Sequence, residues 1–398
     1  MTSQDQLLAI KQKIQFKFSR VPGESDKIKL QIIYLNNQTK PIYMYKSDIL
    51  NKRTKLSDHL AQFIKTRQKR DLFDLAYIGY DIFKKIDDAL KSQDARFYNV
   101  TWKKDILNNI NDTTKSLTKV QKSNKILEAV FPADFSFFVG LLFPREPDKQ
   151  EWTDYSTNEL LQLFFDFRFK IINNIDPSEY EGGIYLADAP LKKGGTLKVI
   201  HATDSEMYTS PLEKKSLNHD PDIVIHVVDK RSDLIEFWKN KEHPRLILFS
   251  THYSESDSER FSFKLTHDDF TNHHLIRIGE IPDDQKALLF LNCCKTANVP
   301  FSGFSNVLTD LYPNYSLGFI TTGFDLRGPD ADAFPDTFHR IFMQENMMIL
   351  DAFVKTKNYL VFQSTTPLYA AFGYMLWQVV PHLTYVKKSL RGGNRNVK

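Results

Sequence analysis

Two hydrophobic patterns divide this chain. In residues 13 to 19 (KIQFKFS) and 27 to 35 (KIKLQIIYL) apolar and polar positions alternate around a Pro22-Gly23 pair, which predicts a β-hairpin. Residues 56 to 69 and 72 to 90 instead carry apolar residues at helical spacing, and Leu72, Leu75, Ile78, Ile82, Phe83 and Ile86 line one stripe of the second segment. Residues 108 to 125 are polar and predict an exposed linker or a surface helix. Hydrophobicity returns in FSFFVGLLF (135 to 143) and in LLQLFFDFRFKII (160 to 172), where strand and helix fit equally well. The longest apolar run, AAFGYMLWQVV (370 to 380), reads as a core helix. No repeat of solenoid period is visible.

After Pro190 the pattern becomes regular. TLKVIHA (196 to 202), DIVIHVV (222 to 228), RLILFS (245 to 250), ALLFLN (287 to 292) and SLGFITTG (316 to 323) read as strands. Between them, a helix starts around Pro211 to Ser216, RSDLIEFWKN (231 to 240) is a short amphipathic helix and FSFKLTHDDF (261 to 270) a small hairpin. AFPDTFHRIFMQ (333 to 344) is a helix with Phe334, Phe338, Ile341 and Phe342 on one side. Alternating buried strands and helices predict an α/β fold with a mainly parallel sheet sandwiched by helices, preceded by an N-terminal α+β region containing the hairpin. The domain expectation is residues 1–125 as that N-terminal region, 195–398 as the α/β domain, and 126–194 as a connecting segment packed on the α/β domain.

Composition narrows the chemistry. With 398 residues, 41% of them hydrophobic and 13% aromatic, the chain supplies a substantial core. Its 53 basic and 49 acidic residues leave a formal charge of only +4, spread along the chain, so direct nucleic-acid binding is not expected. The two cysteines are neighbours, which excludes a disulfide framework and favours a reducing, cytoplasmic location. The N-terminus shows no charged-then-apolar signal pattern and no apolar run approaches a membrane span of about 18 residues, so no membrane association is expected. The basic tail KKSLRGGNRNVK reads as a solvated end.

The most informative residues stand at two strand ends. RLILFSTHYSES carries His252, and KALLFLNCCKTAN carries Cys293 and Cys294, each one or two residues past an apolar run. Open α/β sheets keep their chemistry at the carboxyl ends of their strands. A free thiol, with an ordinary pKa of about 8.5, is only slightly ionised at neutral pH, and a neighbouring imidazole promotes its attack on a carbonyl. The pair therefore predicts a cysteine nucleophile with a histidine base. His267, His273 and His274 match no zinc-ligand spacing, and KKGG (192 to 195) precedes a strand rather than opening a helix, so neither metal nor cofactor is expected.

Taken in order, LILFSTHY, FKLTHDDF, LFLNCCKT, FSGFSNVLTDLYP, LGFITTGF and ADAFPDTFHRIF resemble the CHAT domain, a branch of the caspase-like clan of cysteine peptidases. The resemblance covers about half the chain, from roughly 195 to 385. It implies a caspase-like fold and endopeptidase activity on a protein substrate, switched on by an activating or sensor partner, commonly in bacterial defence or cell death. Leu291-Asn292-Cys293-Cys294 aligns with the family's Leu-Asn-Ala-Cys, which makes Cys294 the nucleophile and Cys293 the replacement of a small buried alanine. His252 takes the place of the general base. The backbone N–H groups of residues 253 and 294 take that of the oxyanion hole. Position 253 is Tyr where the family usually has Gly, and its side chain is expected to crowd the groove or restrict the backbone. The resemblance also makes GFDLRGPDAD (323 to 332) a pocket wall, with Asp325, Asp330 and Asp332 as acceptors for a basic side chain; Asp330 or Asp332 equally suits the cap of a helix starting near Ala333. Glu255 and Asp257 are candidates for orienting the imidazole. Two other readings stay open: a catalytically silent interaction module, and a small-molecule hydrolase using the same thiol.

Overall fold

Alternation in the first strands dictates which face is covered. In Lys13–Val21 (β1) every second residue is buried up to Phe18, and in Glu24–Tyr34 (β2) from Ile28 onward, including Ile14, Phe16, Leu30 and Ile32. The two strands pair antiparallel through a turn at Gly23, whose φ of 77° lies in the left-handed region that favours glycine. The computed structural model describes residues 13–35, 37–107, 125–176, 192–193, 197–205, 223–239, 245–254, 260–282, 285–293, 304–312, 314–323, 329–342, 347–378 and 385–386. The polar stretch 108 to 124, the helix start at 211 to 216, Glu255, Asp257, Cys294 and Asp325 lie outside these residues.

The remaining strands are Asn37–Gln38 (β3), Ile42–Tyr45 (β4), Ile126–Phe131 (β5), Lys170–Ile175 (β6), Lys192–Lys193 (β7), Leu197–Thr203 (β8), Ile223–Val228 (β9), Leu246–Ser250 (β10), His252–Ser254 (β11), Ser262–Lys264 (β12), Asp269–Thr271 (β13), Ala287–Leu291 (β14), Ser316–Thr322 (β15), Tyr374–Trp377 (β16) and Tyr385–Val386 (β17). Twelve of them form one sheet in the order β3-β2-β1-β5-β6-β16-β15-β14-β10-β8-β9, with β4 beside β2. Strands β15, β14, β10, β8 and β9 are mutually parallel, and so are β16, β6, β5 and β1; the two sets meet antiparallel at β15 and β16. β7 pairs with β17, and β11, β12 and β13 form a separate antiparallel sheet. The fold is therefore α/β, a mixed, mostly parallel central sheet flanked by helices.

β10, β14 and β15 are buried at every position, as expected of strands covered on both faces. Phe290 of β14 packs edge-on against Phe334 and Phe338 of the helix Pro329–Phe342, while Trp238 of the helix Arg231–Lys239 packs against Phe249 of β10. The helices Lys46–Thr66 and Lys69–Gln93 belong with the hairpin end of the sheet, where Phe16 meets Trp102 and Trp102 meets Phe83. Gly79 admits no side chain, because a Cβ there would overlap the Leu141 carbonyl oxygen.

Three expectations change. AAFGYMLWQVV is not a helix: Tyr369–Gly373 makes a 3-10 turn and Tyr374–Trp377 is β16, hydrogen-bonded to β15 on one side and β6 on the other. The run is apolar because a central strand is buried on both faces, and periodicity alone does not separate that from a buried helix. The ambiguous segment 160 to 172 is both things, with short helices at Thr157–Leu161 and Phe165–Arg168 running into β6. The helix expected near Ala333 begins at Pro329, since proline suits a first helical position, so Asp330 and Asp332 fall in its first turn rather than at its cap. No helix among the described residues is long and apolar enough to cross a membrane.

Candidate active site

The carboxyl ends of β8, β10, β14 and β15 lie along one edge of the sheet, and of the residues singled out in the sequence His252 and Cys293 are described there. β10 and β14 pair in parallel as far as Phe249 with Leu291. Beyond that point side chains replace the ladder. Thr251 and Cys293 are fully buried and touch, with Thr251 Oγ1 3.4 Å from Cys293 Sγ. The Cys293 thiol also lies 3.5 Å from the Phe249 carbonyl oxygen. On the other side, the Thr322 hydroxyl at the end of β15 donates to the Cys293 carbonyl at 2.6 Å. The buried Asn292 accepts at 2.9 Å from the hydroxyl of Tyr374, reaching over from β16. Cys293 is thus a small buried side chain in a tight polar seam, and the next residue in the chain is Cys294.

His252 opens β11 and is exposed. It pairs with Lys264 across to β12, while Tyr253 pairs with Phe263. Successive strand residues point to opposite faces, so the tyrosine ring turns away from the imidazole's side. It is half-buried, 5.5 Å from the Phe263 ring, and Phe263 in turn packs on Phe249 of β10. The Tyr253 side chain thus packs on the hairpin.

The hairpin is fastened over the sheet edge. Thr266 N–H and its hydroxyl both donate to the Thr203 carbonyl at the end of β8, at 3.2 and 3.3 Å. His267 lies 3.4 Å from Asp229, beyond β9, and His274 Nδ1 accepts from the Thr271 N–H at 3.0 Å. These histidines serve the hairpin's own structure. Arg260 reaches Asp310 of the helix Phe304–Leu311 at 3.1 Å; burial pushes the Asp310 carboxyl above its ordinary range, against the pull of the Arg260 guanidinium.

Two buried polar residues here were not singled out in the sequence. Asp204, 1% exposed, directly follows β8; its N–H donates to the Ser250 carbonyl at 3.2 Å and its carboxylate is 3.9 Å from Lys264. His201, also buried, lies 3.1 Å from the Ser250 hydroxyl. Neither carries a local signal, because both sit within or beside an apolar strand and only the strand order brings them to the edge. Asp204 adds negative charge to this edge from β8, whereas Asp330 and Asp332 were expected to bring it from the opposite side, after β15.

No protein-family model matches the chain, and no curated protein matches it in sequence. Solved structures similar to it include the Arg-specific cysteine proteinase gingipain R, at 10% identity and a TM-score of 0.40 over 65% of this chain and 64% of that one. The complex of pro- and mature domains of Porphyromonas gingivalis RgpB gives 11% identity and 0.41 over 76% and 70%. The Saccharomyces cerevisiae separase-securin complex gives 10% and 0.44 over 96% of this chain but only 31% of that one. The chain spans just under two thirds of the gingipain chain and under a third of the separase chain. With scores this low, the fold assignment stands on the strand order itself.

Proposed function

We propose that this chain is a caspase-like cysteine peptidase in which His252 is the general base and Cys294 the nucleophile. One observation carries the reading: the side chains of Thr251 and Cys293 meet at 3.4 Å, and each is followed directly by the residue in question. Both residues stand three positions beyond the last paired residues of two adjacent parallel strands, Phe249 and Leu291. The chain therefore leaves the sheet side by side at Thr251 and Cys293, and a base and a nucleophile that follow such neighbours are what the chemistry requires.

In this reading His252 takes the Cys294 proton, and the sulfur attacks the scissile carbonyl. The N–H groups of Tyr253 and Cys294 hold the resulting oxyanion. His252 then protonates the leaving amine, and water hydrolyses the acyl-enzyme. The substrate is a polypeptide. Asp204 at this edge, and the acidic sequence that follows β15 with Asp325, Asp330 and Asp332, favour a basic residue beside the scissile bond. Control by an activating protein partner, in a bacterial defence or cell-death setting, is the regulatory reading that the CHAT resemblance supports.

The test is labelling with an activity-based thiol probe, alone and with candidate partner proteins. Labelling at Cys294 that is lost in both Cys294→Ala and His252→Ala supports the peptidase. Labelling that survives His252→Ala, or none with any partner, points instead to a protein-binding module that has kept the fold.

A further inference from the structure

Thr322 is fully buried at the end of β15. Its hydroxyl donates to the Cys293 carbonyl oxygen beyond the neighbouring strand β14, at 2.6 Å. The β14 and β15 ladder pairs Phe290 with Ile320, so the threonine side chain takes over inter-strand bonding just past the point where the backbone pairing stops. The Cys293 carbonyl belongs to the same peptide group as the N–H of residue 294. A trans peptide is planar, with its C=O and N–H directed oppositely. Drawing the carbonyl towards β15 therefore sets the line along which the following N–H donates.

We propose that Thr322 is a positioning residue for the oxyanion hole, acting through the Cys293 carbonyl on the N–H of Cys294. The proposal rests on the peptidase reading above. A peptide whose oxygen already accepts a hydrogen bond is polarised, so its N–H is also a stronger donor to a developing negative charge. Thr322 is itself held from several parts of the chain. The adjacent Gly323 gives its N–H to the Gly373 carbonyl at 2.9 Å, and its own carbonyl accepts from the Ser57 hydroxyl at 3.3 Å. A Cβ on Gly323 would come within 2.7 Å of Met375 Cε and 2.9 Å of Phe138 Cζ, so these two side chains pack directly on this strand end. The helix Lys46–Thr66, the segment after β5 and β16 therefore all bear on the direction of one N–H.

Two reagents separate this role from a general one. With p-nitrophenyl acetate the Cys294 sulfur bonds to the acetyl carbon through an oxyanion, the C–O bond breaks and p-nitrophenolate leaves with the electron pair, while the thiol proton passes to His252. With iodoacetamide the sulfur bonds to the methylene carbon as iodide leaves, and no oxyanion forms. Thr322→Val should slow acylation about ten- to a hundredfold while leaving the alkylation rate and its pH profile nearly unchanged. Thr322→Ser, which keeps the hydroxyl, should restore acylation. Near-ultraviolet circular dichroism of each variant reports folding, with Thr322→Ala as the substitute if the valine variant is altered. Equal slowing of both reactions, or acylation that depends on His252 and Cys294 but ignores Thr322, overturns this inference alone. Wild-type acylation that survives His252→Ala and Cys294→Ala overturns the peptidase reading, and this inference with it.

Discussion

Lys357 and Asp166 form a buried ion pair at 2.6 Å, with side chains 3% and 13% exposed, and it ties the helix Ile349–Asn358 to the helix Phe165–Arg168 just before β6. At an effective permittivity of about 20 the attraction over that distance is on the order of 6 kcal/mol, similar to the several kcal/mol needed to desolvate each ion. The pair should nearly break even as a whole, yet removing one partner strands the other. Lys357→Met is expected to cost about 3–5 kcal/mol, and so is Asp166→Leu, while the double variant should cost far less than their sum. Urea unfolding followed by circular dichroism and tryptophan fluorescence measures all three. The pH dependence supplies a sign. Burial raises the Asp166 carboxyl above its ordinary 3.8, with Lys357 opposing, and lowers the Lys357 ammonium below its ordinary 10.5, with Asp166 opposing. Between 3.8 and the raised value the native state binds more protons than the unfolded one, so stability falls as pH rises; between the lowered lysine value and 10.5 it binds fewer, so stability rises with pH. Relative to the double variant, the wild type should lose stability on leaving the acid range and regain it towards pH 10.5. Single costs that simply add, or a Lys357→Met cost below about 1 kcal/mol, would refute the coupling.

Cys293→Ala removes a fully buried sulfur and should cost about 1 kcal/mol in urea unfolding, whereas Cys293→Leu overpacks the seam between Thr251 and Phe249 and should cost about 1–3 kcal/mol; probe labelling at Cys294 should survive the alanine change. Tyr253→Gly forfeits the packing on Phe263 and should lower stability by about 1–2 kcal/mol without speeding labelling. A tenfold gain in labelling would instead mean that the tyrosine obstructs the groove.

The strands after residue 195 were legible because apolar runs such as LILF and ALLFL have few ways to be soluble other than as covered strands. The hairpin of β1 and β2 was equally legible, since alternation and a Pro-Gly turn agree. The strand β16 was not, because a run buried on all sides has no period to read, and its neighbours β6 and β15 lie far away in sequence. Asp204, Thr322 and Asn292 were missed for a related reason: a polar residue beside an apolar strand looks the same whether it faces solvent or a neighbouring carbonyl.

From the residues alone come most of the element types after residue 195, the hairpin and the candidate pair His252 and Cys294, all consequences of local pattern and of which side chains can do nucleophilic chemistry. Tertiary structure decided which strand ends are neighbours: that Thr251 meets Cys293, that Thr322 reaches its carbonyl, and that Tyr253 faces Phe263. It also joined the hairpin strands β1 and β2 to the strands after residue 195 through β6 and β16 in one continuous sheet. The division has a physical origin. Periodicity reports which face of an element is covered, but the identity of what covers it depends on contacts between residues far apart in sequence, which only the folded chain brings together.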